Sequence, residues 1–391
     1  MSSCPETIYL DNAATTFPKP PDVIRSMLEG YECLGVSPGR GGYDLAVRAE
    51  EFVAGVRRQV SDFFGGHDPN RVVFSYNATD ALNTIIFGLV EPGCHVISSR
   101  LEHNSVLRPL YHLREKNLIT LELLPFDSSG FVNPQDVEKA IRHETGLVIL
   151  THASNVLGTI QPVESIGLIC HEKNVPFVID ASQSAGIIPI DMKAWRLDAI
   201  AFTGHKSLLG PTGIGGLVIR DGLDVRASRF GGTGVDSDSP AHTDEYPQHL
   251  EPGTINMLGV IGLSAGMRHI TELGLQNIYE REMDLLRKLR DGLTCFKRVR
   301  LYCADNLTNH LPLLTLNVDG ISAADLGSIL DGDFNIAVRT GLHCAPLVHQ
   351  DLGVSPNGGV RFSIGPSNTH EDIDAVLDAF GAILESSVTS S

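Results

Sequence analysis

Between residues 71 and 219 the chain alternates short β-branched runs with longer stretches whose apolar residues recur at helical spacing. A strand buried on both faces reads as a continuous apolar run, whereas its covering helix repeats about every 3.6 residues, so this rhythm marks repeated βαβ units. It predicts an α/β fold on a mostly parallel sheet, with ligands bound where the strands' carboxyl ends meet the surface. Strands are expected at 72–75, 95–98, 120–124, 147–150, 177–179, 199–202 and 214–219. Helices are expected to start near Thr79, Asn104, Pro134 and Val163.

After Thr254 the pattern changes. The segment 260–293 keeps helical apolar spacing with Glu and Arg interleaved, as a linking helix leaving the sheet would. Strands at 311–318, 336–339 and 360–364 and helices at 323–330 and 371–384 then describe a small α+β unit. Because 391 residues exceed what one hydrophobic core usually organises, the expected division is a large domain over 1–258 and a linking helix with a small C-terminal domain over 259–391. Two irregular stretches, 36–42 and 231–253, are read either as functional loops or as exposed surface.

Composition narrows the partners. A net charge of -17 argues against a nucleic-acid footprint or a basic membrane-docking face and favours small molecules. The apolar runs are too short to span a bilayer, and the first ten residues lack the basic and apolar regions of a signal peptide. The seven cysteines (4, 33, 94, 170, 295, 303 and 344) are odd in number and contain no CxxC pair, which predicts neither a disulfide framework nor a metal site. A reducing cytoplasm is the expected compartment.

Three positions stand out against that background. Lys206, in Thr203-Gly204-His205-Lys206, follows a predicted strand and precedes a Gly-rich turn, which puts an amine at the ligand-binding edge of the sheet. Asp180 ends the strand Val178-Ile179-Asp180, where a carboxylate either caps the next helix or pairs with a cation such as a protonated pyridine nitrogen. Thr79 opens a helix after Asn77, where it serves as an N-terminal cap or as part of a phosphate cradle.

Together with Tyr9-Leu10-Asp11-Asn12-Ala13-Ala14-Thr15-Thr16, Leu101-Glu102-His103-Asn104, His152-Ala153-Ser154-Asn155, Asp180-Ala181-Ser182-Gln183 and Arg339-Thr340-Gly341-Leu342-His343-Cys344, the lysine segment resembles class-V aminotransferase-fold enzymes of the cysteine desulfurase and selenocysteine lyase branch. The motifs fall in that family's order and cover nearly the whole chain. The resemblance implies the fold type I architecture of enzymes using pyridoxal 5'-phosphate (PLP), with a seven-stranded mixed sheet in the large domain. It implies that Lys206 carries the cofactor, Asp180 pairs with its ring nitrogen and His103 stacks on the ring. Asn155 and Gln183 match contacts to ring substituents, and Thr79, Thr203 and His205 match phosphate contacts. The family's homodimers borrow residues across the interface, and Thr254 matches a borrowed phosphate contact.

The same resemblance gives Cys344 the sulfur chemistry. A thiolate over the bound amino acid attacks the substrate sulfur and keeps it as a persulfide, leaving alanine. Arg361 matches the clamp for the substrate carboxylate, a task suited to a guanidinium fork, with Asn155 and Arg339 beside it. His343, Arg339 and His349 are all candidates to assist the thiol. The chain departs from the pattern at Leu342, where a histidine is frequent, in the Ala-Pro-Leu-Val-His run after Cys344, and in a shorter 231–253 loop. The expected activity is therefore desulfuration of L-cysteine, with transfer to a sulfur-acceptor protein. The alternatives are a lyase for selenocysteine, cystine or another β-substituted amino acid, an aminotransferase or epimerase, and a catalytically silent partner, which the intact Lys206, Asp180 and His103 set speaks against.

Overall fold

The computed structural model describes residues 7–39, 41–235, 238–303 and 305–386. Cys4 and the first six residues, and Arg40, Asp236 and Ser237 of the two irregular stretches, lie outside them.

The elements run β1 (Ile8–Tyr9), α1 (Pro21–Leu34), α2 (Asp44–Phe63), β2 (Val72–Ser75), α3 (Ala78–Leu89), β3 (Cys94–Ser99), α4 (Asn104–Glu115), β4 (Ile119–Leu124), α5 (Pro134–Ala140), β5 (Thr145–Thr151), α6 (Val163–Glu172), β6 (Phe177–Asp180), β7 (Ala199–Thr203) and β8 (Gly215–Ile219). They continue as α7 (Met257–Leu273), α8 (Leu275–Leu293), β9 (Val299–Leu301), β10 (Leu313–Val318), α9 (Ala323–Phe334), β11 (Ile336–Ala337), β12 (Arg339–Gly341), α10 (Pro346–Asp351), β13 (Gly359–Ser363) and α11 (His370–Ser386).

Among the described residues seven strands form the large sheet in the order β2-β8-β7-β6-β5-β3-β4. All neighbours are parallel except β8, which runs antiparallel to both β2 and β7. This is the mixed, mostly parallel α/β sheet that the strand–helix alternation predicts. The central strands β6 and β7 are buried along their whole length. Each fully buried Val, Leu or Ile there contributes roughly 1.5–3 kcal/mol, which is why β-branched residues fill the strands.

A four-stranded antiparallel sheet, β12-β13-β10-β9, forms the smaller layer. Helix α7 buries Val260, Leu263, Met267 and Ile270 in the larger core, whereas α8 buries Met283, Leu286, Leu289 and Leu293 in the smaller one. The expected single helix over 260–293 is thus two, broken at Gly274, whose φ of 82° lies in the left-handed region that ends helices at little cost only for glycine. The expected strand over 336–339 also divides. Ile336 and Ala337 pair in parallel with β1, and Arg339 to Gly341 pair antiparallel with β13, so Val338 is the switch between two sheets. No described helix is long and apolar enough to cross a membrane.

The N-terminal segment ties the layers together. Leu10 is buried in the smaller core, Asn12 Nδ2 donates to the Ser363 carbonyl at 3.0 Å, and Thr15 Oγ1 donates to the His205 carbonyl at 3.0 Å beside the candidate lysine.

Candidate active site

The carboxyl ends of β5, β6 and β7 and the N-terminus of α3 converge on a cavity of about 220 Å³. Lys206, Asp180, His103, Thr79, Asn155, Gln183, Thr203 and His205 line it from the large sheet's side, and Arg339, Cys344 and Arg361 line it from the smaller sheet's side. Residues more than two hundred positions apart are thereby brought to one chamber. Thr254 is not among them; it lines a separate depression with Ser75, Tyr76 and Gly213.

Lys206 lies in the turn after β7. Burial pulls its amine down to about 8, Asp180 pushes it back up, and the Arg361 and Arg339 charges lower it further. An amine with that value is partly neutral near physiological pH and so able to attack a carbonyl carbon. The turn is packed tightly from below: at Gly186, φ 92°, a Cβ would stand 2.3 Å from the Ser207 carbonyl oxygen, so only glycine lets the two loops approach. Asp180 is buried, and the Ser182 backbone N–H and hydroxyl both donate to its Oδ1. Those bonds fix the carboxylate's orientation.

His103 caps the N-terminus of α4: its Nδ1 accepts from the Ser105 backbone N–H at 3.0 Å. Burial pulls the ring down to about 4, against the opposing pull of Asp180, so the imidazole is neutral with its proton on Nε2. The Ser105 hydroxyl stands 2.9 Å from His103 Nδ1 and 2.7 Å from Thr79 Oγ1, coupling two residues that the sequence identifies separately. Ser105 was legible only as a polar residue in the helix's first turn.

The phosphate-type wall is chemically distinctive. Thr203 Oγ1 and His205 Nδ1 are buried and, among the described residues, without a hydrogen-bond partner. Buried polar atoms are nearly always paired, so two orphans beside a helix N-terminus suit a bound anion with several acceptor oxygens. With an amine, a fixed carboxylate and a flat neutral imidazole around the same space, the cavity has the donor set that a phosphorylated, aldehyde-bearing aromatic cofactor requires.

On the opposite wall Arg361 is almost fully buried in β13. Its Nη2 donates to Asp11 Oδ1 at 2.7 Å and its Nη1 to the Asn155 carbonyl at 2.9 Å, while Nε has no partner among the described residues. Asp11 holds the guanidinium from the N-terminal segment, a role invisible until the two ends of the chain meet. Gln183 Nε2 donates to the Ala13 carbonyl at 3.1 Å, and Asn155 Nδ2 donates to the His343 carbonyl at 2.6 Å. Of the three residues considered as aids to the thiol, Arg339 reaches it: its Nη2 donates to Cys344 Sγ at 3.6 Å. His343 and His349 face each other instead, their ring nitrogens 3.2 Å apart.

Glu102 is buried on the large sheet's side of the site, its Oε1 accepting from the Ser99 hydroxyl and the Thr151 N–H. Burial lifts its carboxyl to about 8, with Asp180 adding to the effect while bonds from the Ser99 hydroxyl and the Thr151 N–H oppose it. Its unfolded value is near 4.5, so the folded chain binds the proton more tightly; the stability this gives is complete below that value and is lost as pH rises through about 8. Glu102→Gln keeps Oε1 for both bonds and removes the titration. We expect its melting temperature to gain on the parent's by several degrees between about pH 5 and about pH 9. Thermal melts with a pH-independent difference would show that Glu102 is not held neutral.

Residues 8–376 match the family described as aminotransferase class-V. The chain is 33% identical over 372 residues to a probable cysteine desulfurase of Methanothermobacter thermautotrophicus, covering 94% of this chain and 92% of that one. It is 34% identical over 389 residues to a probable cysteine desulfurase of Pyrococcus abyssi, covering 97% and 95%. The apo structure of a cysteine desulfurase from Thermococcus onnurineus superposes with a TM-score of 0.91 at 35% identity, over 97% of this chain and 95% of that one.

Proposed function

Because the chain belongs to the aminotransferase class-V family, we propose that it is a PLP-dependent cysteine desulfurase, converting L-cysteine to L-alanine and keeping the sulfur on Cys344 as a persulfide. The observation that carries this reading is that the amine of Lys206, the thiol of Cys344 and the buried guanidinium of Arg361 line one cavity.

The cofactor, when bound, supplies a protonated aromatic ring that draws electrons from the substrate's carbons. Lys206 would hold it through its amine and would be the group that moves a proton to or from the bound substrate. Asp180 would keep the ring nitrogen protonated, His103 would pack on the ring, and Asn155 and Gln183 would bind its substituents. Thr79, Thr203 and His205 hold the phosphate, with Thr254 lent by each subunit of a homodimer to the other. Arg361, with Asn155 and Arg339, receives the substrate carboxylate. Cys344 Sγ then attacks the substrate sulfur: the new S–S bond forms as the C–S bond breaks, its electron pair passes to the substrate carbon, and protonation there gives alanine. A thiolate of a sulfur-acceptor protein in the cytoplasm then attacks the outer sulfur: a new S–S bond forms on the acceptor as the Cys344 S–S bond breaks, and Cys344 leaves as the thiolate. No metal enters the scheme.

The product identifies the reaction. Purified holoenzyme given L-cysteine and a reducing thiol is expected to release alanine and sulfide in equal amounts. A β-eliminating lyase would release pyruvate and ammonia from the same substrate, and an aminotransferase would need an added oxo acid. Pyruvate as the main product would overturn the assignment in favour of the lyase reading; alanine from selenocysteine alone would favour the selenocysteine enzyme.

A further inference from the structure

We propose that His349, which does not touch the cavity, is a positioning residue that holds the Cys344 turn in place through His343. The inference rests on the reading of Cys344 as the sulfur acceptor.

His349 is fully buried on α10, and its ring lies 5.0 Å from that of His343, centroid to centroid. His343 Nε2 is 3.2 Å from the Arg339 carbonyl oxygen. A carbonyl can only accept, so His343 carries its proton on Nε2 and presents a lone pair at Nδ1. His349 Nε2 stands 3.2 Å from that lone pair and must therefore be the donor. This leaves His349 Nδ1 as a bare acceptor, and it is buried without a partner among the described residues. An orphaned acceptor is a cost that a space-filling role would avoid, since an apolar side chain would pack there with no lost hydrogen bond.

The held segment needs such support. His343 and Cys344 both adopt left-handed backbone, φ 49° and 59°, which non-glycine residues keep only when the surroundings enforce it. The Asn155 side chain grips the His343 carbonyl at 2.6 Å, and the Asn104 backbone N–H donates to the Cys344 carbonyl at 2.8 Å. The Ala345 backbone N–H closes the turn onto the Leu342 carbonyl at 3.0 Å. A further hold is the chain of donors from His349 to His343 to the Arg339 carbonyl, and Arg339 is the residue whose guanidinium donates to Cys344 Sγ. Burial keeps the two rings neutral, His343 down to about 2 and His349 to about 4, so they supply geometry and do not shuttle protons at neutral pH.

The test compares His349→Leu, which fills the space without a donor, with His349→Gln, whose terminal amide reaches His343 as Nε2 does, and His349→Asn, whose amide is too short. In holoenzyme, His349→Leu and His349→Asn are expected to lower kcat for alanine formation roughly 10- to 100-fold with KM for cysteine little changed, because a displaced nucleophile loses reactive alignment while substrate binding persists. Alkylation of Cys344 by iodoacetamide, followed on its peptide by mass spectrometry, is expected to accelerate in the same two variants, and His349→Gln to restore both readouts. Parental kcat and alkylation rate in His349→Leu, or equal losses in Gln and Leu, would overturn the proposal. If the Leu variant yields no soluble protein, the Gln and Asn pair decides alone: equal behaviour overturns it. The alkylation readout holds even if Cys344 proves dispensable for turnover, so failure of the positioning role and failure of the desulfurase reading are separable.

Discussion

Replacing Lys206 with alanine is expected to lower alanine formation from cysteine by ~10³-fold or more and to abolish any cofactor fixed to the chain by borohydride. The size of the effect follows from the site's inventory. Lys206 is the lysine that lines the cavity, and the nearby Lys19 amine is committed to the His205 carbonyl oxygen. Among the described residues no second amine is placed to take over either the covalent link or the proton transfers. The measurement is reduction with borohydride followed by peptide mapping. A reduced adduct on another lysine in the variant, with activity retained, would show the assignment to be wrong.

Cys344→Ser is expected to have a comparable effect on one substrate and a small one on another. The change preserves size but exchanges a thiol for a hydroxyl that is almost never ionised, so alanine formation from cysteine should fall on the order of 10³-fold. Substrate binding and cofactor content should stay at the parental level, because the groups that hold them lie on other elements. Selenocysteine decomposition should survive better, since the carbon–selenium bond is weaker and the leaving group more acidic. Near-parental alanine production from cysteine in this variant would remove the Cys344 persulfide step and transfer the assignment to the selenocysteine-lyase type, in which that cysteine is dispensable and alanine is still the product.

Much of this architecture is legible in the amino-acid sequence alone. The strands of the large sheet other than the edge strand β4 could be read because they are largely buried and rich in apolar residues, as in Val178-Ile179 and Ile200, whereas β4 exposes Thr120 and Glu122. Sites at their carboxyl ends, Asp180 and Lys206, follow from the topology of parallel sheets. Helices α1 and α2 escaped notice because their apolar residues are interrupted by charge, and Ile24, Leu28 and Val47 are exposed on the chain considered alone. Gly274 carried the signal for a helix break, and continuous apolar spacing on both sides masked it.

The site's supporting residues were less legible, for a physical reason. Ser105, Asp11 and Glu102 act through partners brought close only by folding: Asp11 meets Arg361 across 350 positions, and Glu102 shares its burial with the Thr151 backbone. Sequence spacing likewise left Arg339, His343 and His349 as equal candidates beside the thiol. Two successive left-handed residues decide between them, turning the histidines toward each other and leaving Arg339 against the sulfur.

The central claim is that sulfur passes from cysteine to Cys344, and the mass of the Cys344 peptide tests it most directly. Holoenzyme is mixed with less than one equivalent of L-cysteine per active site and no other thiol, so that little free thiol remains to discharge the product, then quenched under alkylating conditions and digested. The account predicts that this peptide gains one sulfur atom, in an amount equal to the alanine released, and that a reductant removes it. An unmodified Cys344 peptide from enzyme that has released an equal amount of alanine would contradict the account.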